Sequence, residues 1–143
     1  MTFRFDRLTT KAQSLVAEAQ ARRVENAVLA DDPQAGRLAE EMLAQVSGRE
    51  GAAVQEAMLE RLDGLARLRA GENDAAIRLF DSSWEKATAE DAPFEVAQTG
   101  HVMVTLADQL GQESWQARAS EIEKIIAELG IEKPELLLPS WLG

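Results

Sequence analysis

Val54-Gln55-Glu56-Ala57-Met58-Leu59-Glu60-Arg61-Leu62-Asp63-Gly64-Leu65-Ala66 places apolar side chains at Val54, Met58, Leu62, Leu65 and Ala66, three or four residues apart. That interval matches the turn of an α-helix and gives one apolar stripe that must be buried against a neighbour. Ser47-Gly48 and Gly51 break the chain before it, and Gly71 ends it. Beyond Gly71, Asn73 or Asp74 offers a cap to a further helix whose inner face reads Ala76, Phe80, Ser83, Trp84 and Ala87. Two helices joined by so short a connection lie antiparallel, so the pattern predicts a helical hairpin.

The same reading extends both ways. Thr9 and Thr10 can cap a first helix with Ala12, Leu15, Val16 and Ala19 inward; its stripe loses phase at Arg22-Arg23, leaving open whether it continues through Val24, Val28 and Leu29. Asp31-Asp32-Pro33 separates it from a second helix, with Asp32 capping and Leu38, Met42 and Val46 inward. Asp91-Ala92-Pro93 opens a fifth helix, apolar on more than one side at Phe94, Ala97, Val102, Met103, Val104, Leu106 and Leu110, as expected of a helix between neighbours. Gly111 closes it. Ser114 caps a sixth, with Trp115, Ala119, Ile122, Ile126 and Leu129 as its stripe and Gly130 at its end. No strand pattern occurs. The expected fold is all-α: about six helices in antiparallel hairpins, as a repeat stack or an irregular helical bundle, with inward positions almost all apolar.

At 143 residues the chain fits one domain. Within it, residues 1–50 form N-terminal helices, 51–130 the hairpins, and 131–143 a tail expected to dock. Cysteine is absent, so disulfides and thiolate chemistry are excluded, and this is compatible with a reducing compartment. Met1 to Leu15 lacks the apolar block of a secretory signal, and no stretch reaches the roughly 20 apolar residues that span a bilayer. The expected location is cytoplasmic. The net charge of -10 is uneven: five basic and three acidic residues among the first thirty positions, ten and 22 in the remainder. Such a field repels phosphate backbones and anionic lipid, so nucleic acid and membrane are not expected partners, whereas another polypeptide is.

From about Glu60 to Pro93 the chain resembles a tetratricopeptide repeat. Gly64, Gly71, Ala76 and Phe80 stand at the spacings that family uses for close helix crossing, the inter-helix turn and the packing of the second helix. The family's aromatic four residues before Gly64 is Glu60 here, Asp63 precedes the glycine, Arg67 follows it, and the terminal proline comes late, at Pro93. Leu106, Ala107 and Ala117 echo Leu65, Ala66 and Ala76 as a weaker copy, extending the likeness to about residue 129. The resemblance implies a groove on the first helices of the hairpins, with Arg61, Leu65, Leu68, Gln98, His101 and Thr105 facing a peptide. The lysine and asparagine clamp that some such domains use for terminal carboxylates is not matched. The first twenty residues look different. Phe3-Arg4-Phe5-Asp6-Arg7-Leu8-Thr9, Lys11-Ala12-Gln13 and Ala17-Glu18-Ala19-Gln20 resemble the opening helix of the N-terminal domain of Clp-type AAA+ unfoldases, implying a substrate-handling or adaptor-binding module. The likeness ends after Ala21, and no Walker motif follows.

Catalytic templates fit poorly. His101 is the one histidine, which excludes two-imidazole metal sites, and on the fifth helix it reads as a boundary residue or a polar contact in a groove. Carboxylate pairs such as Asp31/Asp32, Glu40/Glu41 and Glu90/Asp91 are adjacent in sequence, about 100 degrees apart on a helix, and do not converge. No phosphate loop, calcium loop or dinucleotide fingerprint is present. No metal, cofactor or enzymatic activity is expected. Arg4, Arg7, Lys11 and Arg22-Arg23 form a basic zone that reads as a solvated face or a grip for acidic groups. The tail Leu136-Leu137-Leu138-Pro139-Ser140-Trp141-Leu142 is too apolar to stay free; it is expected to dock on the last hairpin, with Trp141 and Leu142 as alternative contacts for a partner or a second copy. The expected function is a polypeptide-binding module, an adaptor or co-chaperone; the other reading is a structural or regulatory homodimer.

Overall fold

The computed structural model describes residues 10–131, 138, 139, 141 and 142. Among them lie seven helical segments and no strand: α1 (Thr10–Leu29), α2 (Ala35–Val46), α3 (Ala53–Arg69), α4 (Asn73–Ala89), α5 (Pro93–Leu106), the single turn α6 (Glu113–Gln116) and α7 (Ala119–Glu128). The protein is all-α. Phe3, Phe5, Leu8, Leu136, Leu137 and the Clp-like stretch before Thr10 lie outside the described residues. No helix among the described residues is long and apolar enough to cross a membrane.

A common turn sets the spacing of these helices. Residues with left-handed φ stand at Asp31, Gly51, Gly71, Asp91 and Gly111, each twenty positions after the last, and then at Gly130. Except at Gly51, the next amide donates to the carbonyl five residues back: Asp32 to Ala27 at 2.9 Å, Glu72 to Arg67 at 2.9 Å, Ala92 to Ala87 at 3.1 Å, Gln112 to Ala107 at 2.8 Å and Ile131 to Ile126 at 3.3 Å. This is the bonding that lets a helix stop and reverse within two residues. Asp replaces Gly at Asp31 and Asp91, where its short polar side chain tolerates the left-handed conformation.

The hairpins pack so that α3 touches α4 most extensively and also meets α1, α2 and α5, while α5 meets α4 and α7. α1, α3 and α5 therefore share one side, and α2, α4 and α7 the other. Gly64 makes the α3–α4 crossing possible: a Cβ there would stand 2.6 Å from the fully buried Phe80 ring. Gly100 repeats the device one hairpin later, where a Cβ would collide with Ile122 at 2.2 Å and Trp84 at 2.7 Å. The main core gathers Leu59, Leu62, Leu65, Phe80, Met103, Leu106 and Trp115; a second cluster holds Ala57, Ala87, Val96, Ala97, Ile122 and Ile126, and Trp84 packs against both. Buried Ser83 ties three helices, donating to the Ala57 carbonyl at 2.6 Å and accepting from Thr99 at 2.9 Å.

Four expectations change. α1 runs through Arg22-Arg23 because its buried face shifts to Ala21, Val24 and Val28. Of its expected stripe, Leu15 is exposed and Ala19 outward, while the side chain of Ala12 lies outside the described set. The sixth helix breaks after Gln116: Trp115 points into the main core, edge-on to Phe80, and its indole donates to Asp81 at 2.8 Å, whereas Ile122 and Ile126 serve the second cluster. One straight helix cannot satisfy both, and Leu129 is left exposed. Ala117 is exposed where its expected counterpart Ala76 is fully buried. Helix starts also differ: α4 begins at Asn73 and α6 at Glu113, with no side-chain cap at either.

Candidate functional site

The expectation that inward positions are almost all apolar does not hold. Glu60, Arg61 and Asp63 on α3, Ser83 on α4, and Glu95, Gln98 and Thr99 on α5 are all buried. α3 carries charge on two faces, because residues 60, 61 and 63 point in different directions around a 3.6-residue turn.

Arg61 faces α1 and α5. It borders a cavity of about 260 Å³ whose walls include Val28, Leu29, Leu62, Leu65, Phe94 and Pro139 and whose polar groups are Arg22, Glu25, Arg61 and Gln98. Arg61 is 3% exposed, and its Nη2 lies 3.6 Å from Glu95 Oε2, an ion pair too long for a hydrogen bond. Among the described residues, Arg61 Nε and Nη2 and Glu95 Oε2 have no hydrogen-bond partner. Arg22 and Glu25 pair at 3.3 Å nearby. Desolvation raises the Glu95 carboxyl pKa, and Arg61 opposes the rise. Unsatisfied buried donors and acceptors of this kind are unusual in folded proteins and favour the arrival of a polar ligand group. Phe94 and Leu29, at 45% exposure each, stand at the rim as large apolar groups open to solvent.

On the other face of α3, each charged side chain has an ion-pair partner, although among the described residues Glu60 Oε2 makes no hydrogen bond. Glu60 binds Lys86, and Arg67 reaches Glu40, Asp63 and Glu72 together. Burial, then repulsion from Glu72 and Glu60, pushes the Asp63 carboxyl up to about 6. Arg67 does not reverse this because three carboxylates share it.

The residues expected to face a peptide are distributed over three places. Arg61, Leu65 and Gln98 line the cleft between α1, α3 and α5, with Leu65 fully packed. Leu68 is partly buried against the main core. His101 and Thr105 border a separate hollow of about 400 Å³ between α5 and α7. Thr105 donates to the His101 carbonyl at 2.7 Å, and burial lowers the His101 pKa. Trp141 and Leu142 pack with Leu138 on the main core. The described tail residues reach the ends of α1 and α3: the Trp141 indole donates to the Val28 carbonyl at 2.9 Å, and the Arg69 guanidinium lies 5.2 Å from the ring centre. The end of α1 offers that carbonyl and the end of α3 that cation, a combination that fixes the indole at both its polar edge and its face. Glu95, Gly100 and the rim pair Phe94 and Leu29 were not singled out as functional from sequence. Glu95 was legible as a carboxylate opening an otherwise apolar helix, and Gly100 as a glycine thirty-six residues after Gly64.

Among the described residues, no three His, Asp or Glu side chains gather closely enough to hold a metal ion. The chain matches no protein-family model, no curated protein and no solved structure.

Proposed function

We propose that this protein is a non-enzymatic polypeptide-binding module, an adaptor whose ligand segment enters the cleft between α1, α3 and α5. The observation that carries the reading is Arg61 in the wall of that cleft, buried with unused donors and only a long ion pair to Glu95 behind it, beside the exposed Phe94 and Leu29. A peptide backbone presents a C=O at every residue, so a ligand carbonyl in the cleft can accept from the unused donors of Arg61. Apolar side chains of the same segment then cover Phe94 and Leu29, and an aromatic that binding removes fully from water contributes strongly to binding energy.

A tetratricopeptide-like arrangement is part of the proposal. Its supports are the Gly64–Phe80 crossing, the Gly100 crossing after it, and first helices that share one side. In repeat stacks that side is the usual ligand surface.

The test is selection of peptides from a random display library on the full chain, followed by anisotropy titration on Phe94→Ser and Leu29→Ser. Both positions are exposed enough to leave folding intact. Selected peptides should bind the parent chain and lose about tenfold on Phe94→Ser, equivalent to about 1.4 kcal/mol. Failure to select any peptide, or affinity indifferent to both substitutions, overturns the reading.

A further inference from the structure

The described tail residues, Leu138, Pro139, Trp141 and Leu142, already lie at the edge of the proposed cleft and over the core beside it. Pro139 is buried and forms part of its wall, while Trp141 borders the neighbouring hollow of about 400 Å³ with Asp31, Arg69 and Ala66. Val28 lines both spaces, and its carbonyl is the group that Trp141 binds. The described tail residues thus cross from one hollow to the other over the end of α1.

Resting on the polypeptide-binding reading, we infer that the cleft and the hollow beside it together take a short apolar segment in which an aromatic residue stands two positions after a proline, and that this chain's own Pro139 and Trp141, with Leu138 and Leu142, hold the hollow and the cleft's edge until such a segment displaces them. The occupant's chemistry is read from what sits there: one indole, one proline and two leucines. Few polar contacts retain it. Trp141 makes one hydrogen bond and stacks under Arg69, whose side chain is 53% exposed and is itself held by Asp31 at 2.7 and 3.0 Å. Trp141, Leu138 and Leu142 are half-buried rather than enclosed. A contact of this size can be exchanged for an equivalent one from another chain without unfolding the hairpins.

Such an internal ligand lowers the apparent affinity for an external one by the fraction of molecules in which the tail is seated. Loosening the tail must therefore tighten binding. The probe is a fluorescein-labelled synthetic peptide with the sequence of residues 136–143, titrated into the full chain and into Trp141→Ala and Leu142→Ser, which loosen the tail and leave the receiving surface unchanged. One indole hydrogen bond plus one cation–π contact corresponds to about tenfold, so Trp141→Ala should bind the probe about tenfold tighter than the parent chain. Leu142→Ser should shift affinity two- to threefold in the same direction, and Phe94→Ser should weaken binding in either background. Equal affinity in the parent chain and both variants, or no binding to any of them, overturns the inference. Peptides selected from the random library separate the two ideas: if they bind and the tail peptide does not, the competitor is wrong and the binding module stands. Should Trp141→Ala fail to fold, Leu142→Ser carries the test, since its side chain is only half-buried.

Discussion

α3 has two charged faces that behave in opposite ways. Toward α2 and α4, Glu60, Asp63 and Arg67 meet cations and carboxylates that share the load, and Lys86 and Arg67 reach out to water. Toward α1 and α5, Arg61 and Glu95 face each other at 3.6 Å with donors and an acceptor unused. The first face reads as glue between helices. The second retains more unused polar capacity, two donor nitrogens and one oxygen against the single Glu60 oxygen of the first, where removal from water is costly, and the proposed binding role rests on that difference.

Breaking the second face should produce the largest effect. Arg61→Ala leaves Glu95 as a buried carboxylate without its cation, a change that costs about 3–5 kcal/mol in comparable buried pairs. The double variant Arg61→Met with Glu95→Leu removes both charges and fills similar volume, so it should recover most of that loss. Urea unfolding of the single and double variants measures the recovery. The double variant should bind none of the library-selected peptides while staying folded. If it binds them normally, the pair is structural and the contrast between the two faces disappears.

Asp63 sharpens the comparison from the other side. Its carboxyl stands at about 6 in the folded protein against 3.8 unperturbed. Below about 4, both folded and unfolded chains hold the proton, and the side chain exerts no penalty. As the pH rises from 4 through 6, the unfolded chain gives up its proton first, so the folded state loses stability relative to it. Asp63→Asn removes that titration. It should be more stable than the parent chain at pH 8 by at most about 3 kcal/mol, with the gap closing as the pH falls through 6 to 4. Urea midpoints of both proteins at pH 4, 5, 6 and 8 give the curve. A gap that is constant with pH would mean that Asp63 ionises normally and that Arg67 satisfies it.

The residue periodicity made the helices legible, and α3 and α4 lie where Met58, Leu62, Leu65, Ala76, Phe80 and Ala87 place them. What escaped was whatever depends on neighbours distant in sequence. The burial of Arg61 against Glu95 was not legible because nothing local shows that α5 closes over this part of α3. The break between α6 and α7 is invisible in a stripe that stays in phase; it arises because Trp115 and Ile122 belong to different cores. The twenty-residue spacing of the turns was masked because Asp31 and Asp91 stand where glycine marks the others. The candidate site was half legible: Arg61, Leu65 and Gln98 line one cleft, but His101 and Thr105 border another hollow.

The smallest effect tests whether the first face is as forgiving as its solvent contact implies. Lys86 is 39% exposed along its side chain, whereas its partner Glu60 is 6% exposed. Removing the lysine therefore deprives a largely buried carboxylate of its cation, but at a mouth where water can replace the ammonium. Lys86→Met should cost about 1 kcal/mol, well under Arg61→Ala, because the lost bond is partly exchanged for hydration. Adding Glu60→Gln should recover part of it, and neither change should alter peptide affinity, since both lie on the far side of α3 from the cleft. Urea midpoints and anisotropy on the same preparations measure both quantities. A loss as large as that of Arg61→Ala would mean that the two faces are equally closed to water, and the distinction between glue and recognition would have no physical basis in burial.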